Sequence, residues 1–272
     1  MTNGASIPQI ALIGAPTDHH SSFLRGPAKA PAVIRAALMS EHGNDAAENG
    51  LEIGQDFRFD DQGDLTLDGS AGDIEVIASA MAETALTGAV PILIGGDHMV
   101  TYPAVAGIAE VHGPVHLLHF DAHPDLYDNF GGDPLSHASP FARIMERGLA
   151  SSLTQVGIRT LNRHCREQAA RFGVTIVEMR DFDVATVPVP TGPLYISIDM
   201  DAFDPAYAPG VSHHEPGGLT VREVLAVLRR VKGSLVGADV VELNPDRDRD
   251  GVTAVLAAKL VRELGSLVAA NG

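Results

Sequence analysis

Cysteine is nearly absent. Cys165 is the only one among 272 residues, which excludes an intramolecular disulfide. A reducing compartment is the simplest expectation, and the location expected from it is cytoplasmic. Long apolar runs are lacking too: the stretch 254–270 is interrupted by Lys259, Arg262 and Glu263, and nothing reaches the roughly 18 apolar residues of a membrane span. The N-terminus has no basic stretch leading into a long apolar one, so no signal peptide is expected. Lysine is scarce, and the 19 Lys and Arg face 35 Asp and Glu, for a formal charge of −16. That balance argues against nucleic acid and against anionic membrane surfaces as partners. No internal repeat, low-complexity tract or linker divides the chain, so residues 1–272 read as one domain.

What is present is a regular alternation. With 45% apolar residues the chain can build a full core. Short apolar runs predict buried strands at 9–14, 91–95, 115–121, 153–159, 174–178, 194–199 and 234–243, with a weaker one near 51–53. Between most of them, helical periodicity covers 31–39, 73–87, 102–111, 138–147, 163–172, 220–230 and 253–269. Pro31 suits a first helical turn, and Thr220 with Glu223 forms a capping box. Strands that are apolar throughout, alternating with helices, predict an α/β fold. The expectation is one three-layer αβα unit with a mostly parallel central sheet of about eight strands. The irregular segments 15–30, 127–136 and 202–218 should roof a site beyond the carboxyl ends of the strands.

Four short carboxylate and histidine clusters stand out, Gly95-Gly96-Asp97-His98, Asp121-Ala122-His123-Pro124-Asp125, Asp199-Met200-Asp201 leading into Asp204, and Glu242-Leu243-Asn244-Pro245, the first three each following an apolar run that reads as a buried strand. An aspartate after one strand ordinarily caps a turn or helix. Several such strand ends together, each costly to bury unpaired, ask for a cation. Mostly oxygen ligands with two imidazoles suit Mn²⁺ or a related ion, and a structural zinc would want thiolates. Asp121 and Asp199, which lead their clusters, are the natural bridges between two ions, and water held between such ions becomes nucleophilic near neutral pH. A two-metal phosphoesterase would use similar ligands but would need basic residues to grip phosphate.

At this point the motifs resemble a known family. The chain looks like the ureohydrolase superfamily of arginases, agmatinases and related guanidine hydrolases, over nearly its whole length, and is most similar to the plant-type arginases. The carrying motifs are DAHPDLY (121–127), SHASPFARIME (136–146), QVGIRT (155–160), YISIDMD (195–201), PGGL (216–219) and VGADVVELNP (236–245). The resemblance implies an arginase-like fold and two Mn²⁺ per subunit, with Co²⁺ or another divalent ion as alternatives. It implies one ion on His98, Asp121, Asp125 and Asp199, and the other on Asp121, His123, Asp199 and Asp201. It assigns Asp125 to orient the attacking oxygen, Glu242 to pair with the substrate guanidinium, and His137 to shuttle a proton to the leaving amine. It also implies a small cationic guanidino substrate and a homo-oligomer.

The expected reaction is hydrolysis of L-arginine to L-ornithine and urea, with agmatine or another guanidino compound as the alternative. For the substrate tail, Asn129, Ser136 and Ser139 are nearby donors, and His19, His20, Ser22 and Arg25 lie in the first long loop. Arg25 reads more simply as a surface residue. His119 is either a support for the cluster or a satisfied core histidine. His213, His214 and Glu215 are candidates to line the pocket. Gly95-Gly96 allows a tight strand exit rather than a phosphate cradle, Asp97 caps a helix or orients His98, and 246–250 reads as a solvated charged loop.

Overall fold

The computed structural model describes residues 7–271; residues 1–6 and 272, the ends of the expected 1–272 unit, lie outside the described residues. Among the described residues, eight strands form one sheet. They are β1 (Gln9–Ala15), β2 (Arg58–Asp64), β3 (Val90–Gly95), β4 (Val115–Phe120), β5 (Ala150–Ile158), β6 (Thr175–Glu178), β7 (Leu194–Asp199) and β8 (Leu235–Val241). Their spatial order is β2-β1-β3-β8-β7-β4-β5-β6, and every pairing is parallel.

Among the described residues, seven α-helices cover the sheet: α1 (Ala30–Leu38), α2 (Asp73–Leu86), α3 (Thr101–His112), α4 (Pro140–Glu146), α5 (Arg163–Phe172), α6 (Val221–Leu228) and α7 (Val252–Asn271). Two apolar cores lie on opposite faces. One gathers residues of α1, α6 and α7, including Ile34, Val224 and Leu260. The other gathers residues of α2 to α5, including Met81, Ile108, Phe141 and Ala169. This is the expected layered α/β architecture.

Local chemistry accounts for the helix boundaries. Thr220 and Glu223 form the reciprocal capping box that opens α6. Proline opens α1 and α4, and Gly173 ends α5 in the left-handed conformation. The loop 246–250 is more than solvated charge, because the Asp248 carboxylate accepts the backbone N–H groups of Thr253 and Ala254 at the start of α7.

Two expectations about the first third of the chain are corrected. The weak strand near 51–53 is only isolated bridging, Ala46 to Glu52 and Ile53 to Phe57. The strand there is β2, whose sequence RFDDQGD carries no apolar run. It forms the sheet edge and leaves most side chains in water, so it needs none, and its charges discourage further pairing. Arg35 of α1 ties it down through Asp61 and Asp64.

The order of strands is what builds a site. β3, β8, β7 and β4 are adjacent in the middle of the sheet and point the same way, so the segments leaving all four emerge at one edge. Those segments carry His98, Glu242, Asp199 with Asp201, and Asp121 to Asp125 respectively. Chain order cannot make neighbours of residues 98 and 242; the crossovers do.

Candidate active site

Two backbone features bring these side chains inward. Asp125 and Glu242 both adopt positive φ, 47° and 63°, a region non-glycine residues seldom occupy. Strain of this kind persists where surrounding structure over-determines it, often at functional positions. At the exit of β3, Gly96 lies directly under the Thr17 carbonyl, where any Cβ would overlap it. Its own carbonyl accepts the Glu242 N–H at 2.9 Å, and the next N–H, of Asp97, donates to Thr17. The glycine thus allows three strand exits to meet. Asp97 then caps the short turn at 98–100 by accepting the Met99 N–H.

The expected ligands converge. His98 Nδ1 lies 3.2, 3.1 and 3.0 Å from carboxylate oxygens of Asp121, Asp125 and Asp199. His123 Nδ1 lies 3.1 Å from Asp201 and 3.4 Å from Asp121. In three of the four aspartates one oxygen is tied to a backbone N–H: Asp121 Oδ1 by His123, Asp199 Oδ1 by Asp201, and Asp201 Oδ1 by Ala122. Their Oδ2 atoms face the imidazoles. The backbone therefore orients the carboxylates before any ligand arrives.

These residues fit a divalent pair. His98 Nδ1 is buried and has no hydrogen-bond partner, although three carboxylate oxygens surround it. Ligands bound about 2.1 Å from one ion at right angles sit about 3 Å apart, which is the spacing seen here. The residues that could hold a metal include His98, His119 and Asp121 as one group and Asp121, His123 and Asp201 as another, sharing Asp121. His119 has a different task. Its Nε2 lies 2.8 Å from Asp121 Oδ2, while the Gln155 amide lies 3.0 Å from its Nδ1 and donates to the Pro124 carbonyl. A donor on Nδ1 leaves the ring proton on Nε2, so His119 supports Asp121. Phe141 packs on its ring with centroids 4.0 Å apart.

The electrostatics lead to the same reading. Burial, then the Asp121 charge, lifts Asp125 to about 6. Burial and neighbouring carboxylates hold Asp199 well above the ordinary range, and burial raises Asp201. Burial would raise Asp121 too, but His119, His123 and His98 together hold it well below. Burial of so many acids together favours protons kept among them.

Beside the cluster, Glu242 Oε1 accepts the His98 N–H at 2.9 Å and lies 2.7 Å from His137 Nδ1. Burial would lower His137, but the Glu242 carboxylate outweighs it and lifts the ring to about 9. Ser22 holds the other face of His137, its Oγ 2.8 Å from Nε2. A cavity of about 230 Å³ opens over these groups, lined by His123, Asp125, His137, Asp199, Asp201 and Glu242, and farther out by Tyr127, Thr160, His213 and Glu215. No lysine or arginine lines it among the described residues.

Some expected contacts are not there. Asn129 is exposed, and its side chain accepts the Gly132 N–H. Ser136 and Ser139 are buried, and neither lines the cavity; the Ser136 hydroxyl accepts the Ala138 N–H. Their segment folds back on itself, so nearness in sequence to His137 does not place them at the pocket. His214 donates outward to the Pro209 carbonyl, whereas its neighbours His213 and Glu215 line the pocket. Of the first loop only Ser22 reaches the cavity. Arg25 pairs with Asp18, and His20 lies against Asp133. Gln155 and Ser22 act here without a motif of their own; the run QVGIRT was the only signal for the former.

The chain is similar to known proteins. Arginase 1, mitochondrial, of Arabidopsis thaliana is 46% identical over 97% of this chain and 82% of its own length. Agmatinase, mitochondrial, of Gallus gallus is 34% identical over 93% of the chain and 79% of its own length. The solved arginase from Medicago truncatula superposes with a TM-score of 0.88 at 42% identity, covering 96% of this chain and 88% of that one. The expected cytoplasmic location is corrected by these comparisons, because both curated relatives are named as mitochondrial proteins. A single thiol signals a reducing interior, and that property does not separate one such compartment from another. A model of the Arginase family matches residues 8–266, and with that match and these relatives the chain belongs to the arginase family.

Proposed function

We propose that this enzyme hydrolyses L-arginine to L-ornithine and urea with two divalent ions, manganese foremost and cobalt as an alternative. The observation that carries the reading is the buried, unpartnered His98 Nδ1 among three carboxylate oxygens, with Glu242 beside it. His98, Asp121, Asp125 and Asp199 would hold one ion, and Asp121, His123, Asp199 and Asp201 the other. When bound, the ions supply a water acidic enough to lose a proton near neutral pH.

The remaining work falls to side chains of this protein. Glu242 presents a buried carboxylate to the planar guanidinium, a bidentate and geometrically selective pair. Asp125 accepts a hydrogen bond from the attacking water and so aims it at the guanidinium carbon. His137 stands next to Glu242 and delivers a proton to the departing amine, so that ornithine leaves uncharged at that nitrogen. Ser22 keeps the His137 ring turned toward the reaction.

Agmatine is a second reading, and one observation favours it. The cavity is lined by Glu215 and, among the described residues, by no lysine or arginine, which suits an amine tail better than a carboxylate. Similarity to arginases at 46%, against 34% to an agmatinase, supports arginine. Urea release from arginine, agmatine and 4-guanidinobutanoate by manganese-loaded enzyme tests the choice. An agmatine preference above about tenfold in kcat/KM, roughly 1.4 kcal/mol, overturns the arginine assignment. The enzyme works as a homo-oligomer, a reading supported by the family resemblance.

A further inference from the structure

Behind His98, on the side away from the cavity, runs a buried chain of polar groups. His98 Nε2 lies 3.0 Å from Ser197 Oγ. The Ser197 hydroxyl donates to Asp239 Oδ1 at 2.6 Å, and the Tyr195 hydroxyl donates to Asp239 Oδ2 at 2.8 Å. All four side chains are fully buried, and Tyr195, Ser197 and Asp239 do not line the cavity. Sheet register makes the chain possible. Ser197 of β7 is paired directly with Asp239 of β8, and Tyr195, two residues earlier, projects to the same face. Gly237, opposite Tyr195, has no side chain to collide with its ring.

Proton counting gives the consequence. A serine hydroxyl has one proton, and here it goes to the Asp239 carboxylate. Ser197 Oγ can then only accept from His98, so Nε2 must carry the imidazole proton. In the neutral ring, Nδ1 is left with a bare lone pair. That is the atom facing Asp121, Asp125 and Asp199.

We infer that Asp239, acting through Ser197, is a positioning residue that holds His98 in the Nε2–H tautomer and so readies Nδ1 as a metal ligand. The assignment rests on the two-metal reading above. Outer partners of this kind fix ring orientation and raise ligand basicity, and losing one commonly costs 10- to 100-fold in metal affinity. The competing view makes Asp239 a plain structural tie between β7 and β8.

Comparing Ser197→Ala with Tyr195→Phe separates the two. Each removes one hydroxyl from Asp239, but only Ser197 touches His98. Mn²⁺ titration calorimetry, with metal counted after gel filtration, reads both sites. Wild type is expected to bind two ions. Ser197→Ala should weaken one of them about tenfold or more and leave the other within twofold. Tyr195→Phe should keep both affinities even if its melting temperature falls. Asp239→Asn, which preserves volume, should weaken the same single site and serves if Ser197→Ala does not fold. Wild-type affinity in both Ser197→Ala and Asp239→Asn overturns the relay, as does equal weakening by Tyr195→Phe. A wild-type protein that binds no Mn²⁺ instead defeats the metal reading itself, so the two failures are distinguishable.

Discussion

Three carboxylates at the centre of this protein divide their labour between their two oxygens. Asp121, Asp199 and Asp201 spend one on a neighbouring backbone N–H and turn the other inward, which aims the donors without long side-chain tethers. Glu242 is built differently, since its inward oxygen already has the His98 N–H and His137 as partners. Removing its charge should therefore damage substrate recognition and spare the cluster. Glu242→Gln is expected to lower kcat/KM by about 100-fold or more with metal content unchanged, because a charged bidentate pair is lost. His137→Ala should cut kcat by about 10²- to 10⁴-fold at normal metal content, the usual range for a lost general acid. Unchanged turnover would remove His137 from proton transfer. Single-residue patterns could reveal that Asp121, His123 and Asp125 act together, since they share one strand exit. They could not separate Asn129 from Ser22, because reaching a cavity depends on how loops fold over it.

At the level of elements, the helices and central strands were legible because their apolar period is strong and their caps are local. Leu194–Asp199 and Arg163–Phe172 appear with the bounds expected for them. The miss at β2 has a physical origin: an edge strand in water needs backbone pairing and little apolar surface. One loop shows how elements are held beyond the core. Glu48 accepts from Arg222 of α6 and lies against Lys259 of α7. The hydrogen bond from Arg222 leads the interactions that hold its carboxyl down at about 2, against partial burial that works the other way. A depressed pKa contributes stability that is fully present above the unfolded value near 4.5 and is lost as pH falls toward 2. Glu48→Gln should lower the melting temperature at neutral pH and flatten its fall between pH 4.5 and 2. A variant with the wild-type acid profile would show the network contributes nothing.

Across the whole molecule, acidity is concentrated where it does the most. Several acids meet at one buried edge with no lysine or arginine lining the cavity among the described residues, and burial with like charge lifts Asp125 to about 6. Binding of divalent ions should therefore expel protons, and affinity should fall as pH drops. Titration with Mn²⁺ in weakly buffered solution is expected to release protons and to raise the melting temperature, and chelation should reverse both. Metal uptake without proton release would show that the cluster is ionised before the ions arrive.

The local chemistry of the chain was enough to establish alternating buried strands and helices, and to mark which strand ends carry ligands, because periodicity and clustering are properties of neighbours. It could not establish that β8 lies between β3 and β7, since strand order is set by crossovers that bury two opposite faces at once. That order alone brings Glu242 to His98 and Asp239 to Ser197. The candidate ligands are written in the sequence; the contacts behind them exist only once the sheet is assembled.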